Sequence, residues 1–204
     1  PLVRITCTHF ERRPYTVRFG RDMDLSTVLD LEEACWPEKE RQSFEAMHAM
    51  LKSNNYNVFV LEQDYQIRSV LWTQRIKEVG SICKASWNSV STLRDDNGTV
   101  LQLLRINSWP NDHPLSKGTE EQVGSALRDF ALQLAAAMKC SEVVGVTTPS
   151  AQPFHTVAGA RVKRRIESWR DASAEKQGLG ILVSYSVGVA RDISDRPVAT
   201  NATT

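Results

Sequence analysis

The segment from Thr99 to Thr148 constrains this chain most, because it reads in immediate succession as strand, turn, long helix and second strand. Thr99 to Asn107 (TVLQLLRIN) is an apolar, β-branched run of strand length, closed by the turn signal Trp109-Pro110-Asn111-Asp112. Glu120 to Met138 carries Val123, Ala126, Leu127, Phe130, Ala131, Leu134 and Met138 at helical spacing, which predicts one buried face. Glu142 to Thr148 (EVVGVTT) is strand-like again and stops at Pro149. Gly124, Ser125 and Ala126 fall in the first turn of the helix, where unpaired backbone N–H groups and the positive dipole end converge. With no bulky side chain in the way, such a turn admits a pyrophosphate. The same small residues also serve as packing devices.

The flanking chain supplies hairpins and short helices. Tyr15 to Phe19 reads as a strand; Asp22 and Asp24 are N-caps for a helix burying Leu25, Val28, Leu29 and Leu31, which ends at Cys35-Trp36-Pro37. Ser43 to Lys52 predicts a second helix with Phe44, Met47 and Leu51 inward. Asn57 to Glu62 and Gln66 to Thr73 predict a hairpin around Gln63-Asp64-Tyr65. Lys77 to Gly98 is polar and aperiodic, and is expected to be a long loop, either a lid or disordered. After Pro149 come a short helix near Thr156 to Ala160 and two strands, Arg161 to Trp169 and Ile181 to Val189. The order β-α-α-β-β-β-α-β-α-β-β, with no internal repeat, predicts α+β architecture with a mixed, mostly antiparallel sheet.

At 204 residues the chain fits a single domain, here 1–191 with a core over 15–189 and a polar tail over 192–204. Charges nearly cancel at net +1, which argues against nucleic acid or anionic membrane as partner. There is no run apolar enough to span a bilayer and no secretory leader, so a cytoplasmic location is expected. Cys7, Cys35, Cys83 and Cys140 show neither paired spacing nor His companions at zinc distances, so reduced thiols and no metal are expected. Pro1 in place of a methionine suggests a segment of a larger protein.

This order, with Gly124-Ser125-Ala126 opening the helix, resembles the GNAT acetyltransferase fold. The resemblance implies a coenzyme A thioester as substrate, its pyrophosphate on Val123, Gly124, Ser125 and Ala126, and its pantetheine arm between splayed strands along Leu104 and Ile106. Glu121 stands where the family motif has Gln or Arg. A narrower similarity joins Glu32-Glu33-Ala34-Cys35-Trp36-Pro37, Trp72-Thr73-Gln74-Arg75-Ile76, Gly145-Val146-Thr147, Phe154-His155 before Gly159-Ala160, and Gly178-Leu179-Gly180-Ile181-Leu182-Val183-Ser184-Tyr185. Together these resemble the GNAT-like loading domains of polyketide synthases. The resemblance implies decarboxylation of malonyl-CoA or methylmalonyl-CoA, acyl transfer to an acyl carrier protein, and neighbouring modules as partners. Position by position, it implies Thr147 and His155 as catalytic residues and Trp36 and Arg170 as substrate-binding residues. The segment between Thr147 and His155 is shorter than in the family, and Ala158 replaces a histidine.

The residue chemistry fits decarboxylation better than amine acetylation. Loss of carbon dioxide from a malonyl thioester leaves an enolate, so hydrogen-bond donors must face the oxygen where charge develops. A Thr147 hydroxyl and a His155 imidazole are donors of that kind, and His155 is also a candidate to return a proton to carbon. Strand alternation turns only one of Thr147 and Thr148 toward a cleft. An amine acetyltransferase wants a base and an acid, and Thr99 to Asn107 holds no carboxylate. Acetyl transfer to an amine or carrier thiol, and an inactive binding module, remain as alternatives. Read structurally, His155 caps a helix, Thr147 is a strand residue, Trp36 is core and Arg170 is solvated; His9, His48 and His113 are assigned structural roles. The basic run Arg161, Lys163, Arg164 and Arg165 reads as a solvated edge strand, with docking of an acidic carrier as the sharper reading.

Overall fold

Eight strands assemble into one sheet, in the order β1-β2-β3-β4-β5-β6-β8-β7. The computed structural model describes residues 3–5, 15–52, 58–85, 89–110, 112–116, 123–170 and 178–187. The strands are β1 Val3–Ile5, β2 Tyr15–Phe19, β3 Val58–Gln63, β4 Gln66–Ile76, β5 Val100–Ser108, β6 Glu142–Thr147, β7 Arg161–Arg170 and β8 Gly178–Ser186. The helices are α1 Leu25–Cys35, α2 Phe44–Lys52, α3 Val123–Ala137 and α4 Gln152–Thr156. All neighbouring strands pair antiparallel except β5 and β6, which run parallel. The expected α+β order is found, with β1 added in front.

Period-two alternation lets the sheet carry a helical layer on each face. On β3, Phe59 and Leu61 pack in the cluster that holds Leu127, Phe130, Ala131 and Ala135 of α3. Their neighbours Val58 and Val60 join Val28 and Leu31 of α1 and Met47 and Leu51 of α2. Each such burial stabilises the fold by roughly 1.5–3 kcal/mol.

Local chemistry explains the departures from expectation. Asp24 does not cap α1 with its side chain; its carboxylate accepts from Arg18 Nη1 and Nη2 at 2.7 and 2.9 Å and from the Arg21 N–H at 2.7 Å. Phe44 is 51% exposed rather than inward. As the first residue of α2 it lies a turn short of the packing that covers Met47 and Leu51, and its ring meets His48 at 5.6 Å. The described part of 77–98 is neither lid nor disordered. It forms 3-10 turns at Val79–Lys84 and Val90–Leu93, and buries Ile82 and Val90 against Ile76 and Trp169. A Cβ on Gly98 would come within 2.3 Å of the Ile76 carbonyl oxygen, so only glycine closes that segment onto β4.

The sheet divides where β5 leaves β6. Their parallel register runs from Val100↔Glu142 to Leu103↔Gly145 and stops there. Beyond it β5 stays with β4 as far as Ser69↔Ser108, while β6 stays with β8 as far as Thr147↔Ile181. A bulge assists the separation: Trp72 faces Arg105 and Thr73 faces Leu103, so Leu104 has no register partner on β4. At the far edge, Arg161, Lys163, Arg164 and Arg165 of β7 are exposed, as expected of a charged edge strand.

Candidate active site

The parting strands open a cavity of about 510 Å³. Leu104, Arg105 and Ile106 of β5 line one wall, and Val146 and Thr147 of β6 the other. Gly124 borders it from the first turn of α3, Phe154 and His155 from α4, Cys35 and Trp36 from the end of α1, and Trp169 and Leu179 from the outer strands. Of the residues singled out in the sequence, Thr147, His155, Trp36, Leu104, Ile106 and Gly124 are therefore brought to one cavity. Val123 and Ala126 pack against the core instead, and Ser125 is half-buried beside them. The Arg170 side chain lies outside the described residues; its backbone ends β7 opposite Gly178. Glu121 also lies outside them.

Thr147 is the last residue of β6 and is buried. Thr148 lines the cavity as well, because the strand has ended and alternation no longer applies. Its hydroxyl is tied into the following turn, 2.9 Å from Ser150 Oγ and 3.3 Å from the Ala151 N–H that it accepts.

His155 sits on the five-residue α4 with Nδ1 2.7 Å from the Tyr185 hydroxyl. Burial, and then the nearby Arg128 guanidinium, lower its pKa from 6.5 to about 4. The ring is thus neutral near pH 7. Burial raises the Tyr185 pKa above its ordinary value, so its phenol keeps its proton. Arg128 reaches across from α3: Nη1 donates to the Phe154 carbonyl at 2.7 Å, and the guanidinium lies 4.6 Å over the Phe154 ring. Its Nη2 pairs with Asp129 at 3.1 Å.

A closed polar ring fixes the Trp36 wall. Trp36 Nε1 donates to Asn107 Oδ1 at 2.8 Å, and Asn107 Nδ2 donates to Glu32 Oε2 at 2.7 Å. Glu32 pairs with the Arg105 guanidinium, which lies 4.5 Å over the Trp36 ring. The Gln42 N–H adds a bond to Glu32 Oε1 at 2.8 Å. Both charges are buried, and pairing them with further hydrogen bonds makes that tolerable. Sequence reasoning missed this ring, Tyr185 and Arg128. The signal was there for the first: Glu32 follows Val28 and Leu31 on the apolar stripe of α1, and Arg105 is the lone charge in an apolar strand. His113 is structural as expected, stacked on Trp109 at 4.0 Å and accepting the Leu115 N–H; His9 and Cys7 lie outside the described residues.

No family model and no curated protein matches the chain. Solved structures do. The loading GNATL domain of CurA from Lyngbya majuscula superposes with a TM-score of 0.75 at 24% identity, over 85% of this chain and 98% of that one. The chain has the GNAT fold. A GphF GNAT-like decarboxylase in complex with isobutyryl-CoA follows with a TM-score of 0.72 at 24% identity, over 84% and 99%. The ribosomal-protein-S18-alanine N-acetyltransferase from Escherichia coli gives 0.62 at 12% identity, over 88% and 97%. At these identities the likeness is one of fold. Within that GNAT fold, β5 and β6 are the parted parallel pair and α3 is the helix joining them. Among the described residues, no group of His, Cys, Asp and Glu is arranged to hold a metal ion, and no helix is long and apolar enough to cross a membrane.

Proposed function

We propose that the chain decarboxylates a malonyl or methylmalonyl thioester of coenzyme A to the acetyl or propionyl thioester that starts a polyketide chain. One observation carries this reading: the strand-end hydroxyl of Thr147 and the neutral imidazole of His155 border one cavity at the mouth of two parted strands. Two similar structures, one described as a loading GNATL domain and the other as a GNAT-like decarboxylase, support the same reading.

In this reading the pantetheine arm lies along Leu104 and Ile106, and the diphosphate meets the N–H groups of Val123, Gly124, Ser125 and Ala126. The bond between the carboxylate and the α-carbon breaks, carbon dioxide leaves, and the electron pair passes to the thioester oxygen as an enolate. Thr147 and His155 donate hydrogen bonds to that oxygen as its charge grows. Trp36 keeps water from the departing carboxylate. A carboxylate held too tightly would resist leaving. The Arg105 guanidinium on this wall already has Glu32 as its counter-ion, and Arg170 is assigned orientation of the carboxylate. An acyl carrier protein and neighbouring synthase modules are the partners proposed, with the exposed basic edge of β7 supporting an acidic carrier.

Mass spectrometry of malonyl-CoA and methylmalonyl-CoA incubated with the chain tests this directly. Decarboxylated thioester is expected without any acceptor, and Thr147→Val is expected to slow it about 100-fold, as loss of one oxyanion donor does. Acetyl transfer from acetyl-CoA to an amine or carrier thiol, without decarboxylation, would assign an acetyltransferase instead. Binding of coenzyme A with no turnover would leave a binding module.

A further inference from the structure

We infer that Tyr185 is a positioning residue whose hydroxyl donates to Nδ1 of His155, fixing the ring as the Nε2–H tautomer that presents a neutral donor to the thioester oxygen. The catalytic part of this inference rests on the decarboxylase reading; the tautomer does not.

The direction of the 2.7 Å bond follows from accounting for protons. Tyr185 is 2% exposed, and among the described residues His155 Nδ1 is the one partner of its hydroxyl. Were the proton on Nδ1, the phenolic hydrogen would be left buried without an acceptor. With the phenol donating, both groups are satisfied and the second imidazole nitrogen carries the hydrogen. The ring needs such a tether. α4 is five residues long and fully buries none of its side chains, so packing alone does not set the half-buried imidazole. Two bonds from rigid elements hold this turn: Arg128 of α3 to the Phe154 carbonyl, and Tyr185, whose backbone is locked in register with Val143 on β6.

The surroundings keep the ring neutral. Among the described residues, the charged or titratable groups acting on it or on its partner are Arg128 and, through Tyr185, Asp129 from α3, and Tyr185 itself from β8; Thr147 of β6, Trp169 of β7 and Phe154 of α4 are neutral, and Arg105 and Cys35 lie elsewhere on the cavity lining. Burial and the Arg128 charge both oppose a second proton. One chemical consequence departs from the sequence expectation. A neutral ring that surrendered Nε2–H to carbon would become an imidazolate, so His155 keeps its proton throughout. The α-carbon then takes its proton from a solvent water after carbon dioxide leaves, and the hydroxide so formed is released to solvent, where it combines with the carbon dioxide as bicarbonate.

Long-range 15N–1H correlation spectra of the imidazoles at pH 7 test this, with the His155 signals identified by their loss in His155→Gln. The expected pattern is a neutral ring protonated on Nε2. In Tyr185→Phe that pattern should give way to mixed tautomers, and kcat should fall about tenfold while KM changes less than about twofold. A wild-type ring protonated on Nδ1, or on both nitrogens, overturns the inference; so does a Tyr185→Phe spectrum identical to wild type. Should Tyr185→Phe misfold by thermal melting, the wild-type spectrum alone decides. If no thioester is decarboxylated, the functional reading falls, while the spectrum still reports the tautomer.

Discussion

His155 ties pH to folding because burial and the Arg128 charge disfavour its protonated form. Its pKa is about 4 when folded and near 6.5 when unfolded, so between those values the unfolded chain binds the extra proton. Stability therefore rises with pH across that window, and protonation of the unfolded state draws it away as pH falls from 6.5 toward 4. Relative to His155→Gln, the wild-type chain is expected to lose about 2 kcal/mol more between pH 7 and pH 4.5. Urea unfolding of the two proteins at both pH values measures the difference. Equal losses would mean that the imidazole reaches water and titrates normally.

The join between α1 and β5 depends on one buried carboxylate. Glu32 of α1 holds Arg105 and Asn107 of β5, and through Asn107 it holds Trp36 at the helix end. Replacing Glu32 by Gln keeps the shape and removes the counter-ion, leaving Arg105 charged inside the protein. Such a break costs about 3 kcal/mol or more, and urea unfolding of Glu32→Gln is expected to register it. A loss below 1 kcal/mol, the value of an exposed pair, would refute the assignment. This pair also marks what the sequence could and could not disclose. Strong periodicity made β5, α3 and β6 readable to within three residues, and it brought Thr147 and Gly124 to the right element ends. Periodicity says nothing of what happens at or past an element's end, which is why Phe44 is expected inward from its spacing and only one of Thr147 and Thr148 is expected to face the cleft, whereas both line it. Nor does a polar composition exclude a core role: Ile82 and Val90, with Val79, Cys83, Ala85 and Leu93 packed around them, pin the connection between β4 and β5. Partners distant in the chain, such as Tyr185 for His155, exist only once the sheet is ordered.

The molecule as a whole is two half-sheets, β1–β5 and β6–β8–β7, joined along four parallel residue pairs. A thioester arm lying between them would touch both, so its binding should stabilise the entire chain and not a local loop. At one hundred times its dissociation constant a ligand contributes about 2.7 kcal/mol, or roughly 5–10 °C in Tm for a chain of this length. Gly124 is the point where this can be decoupled from folding. A Cβ there would sit 3.4 Å from Ser108 Oγ and 3.7 Å from Ile106 Cγ2 on the β5 side, and 3.8 Å from Phe154 Cε2 on the α4 side. Those are ordinary contacts, and alanine is the better helix former, so Gly124→Ala should melt no lower than wild type. Its methyl would nevertheless occupy space at the first turn of α3, where in the proposed reading the diphosphate approaches the backbone. Thermal melts with and without coenzyme A at one fixed concentration should therefore show an unchanged free protein and a ligand shift cut by at least about half. A full shift in Gly124→Ala would mean that the diphosphate binds away from this turn, and the parted strands would then need a different occupant.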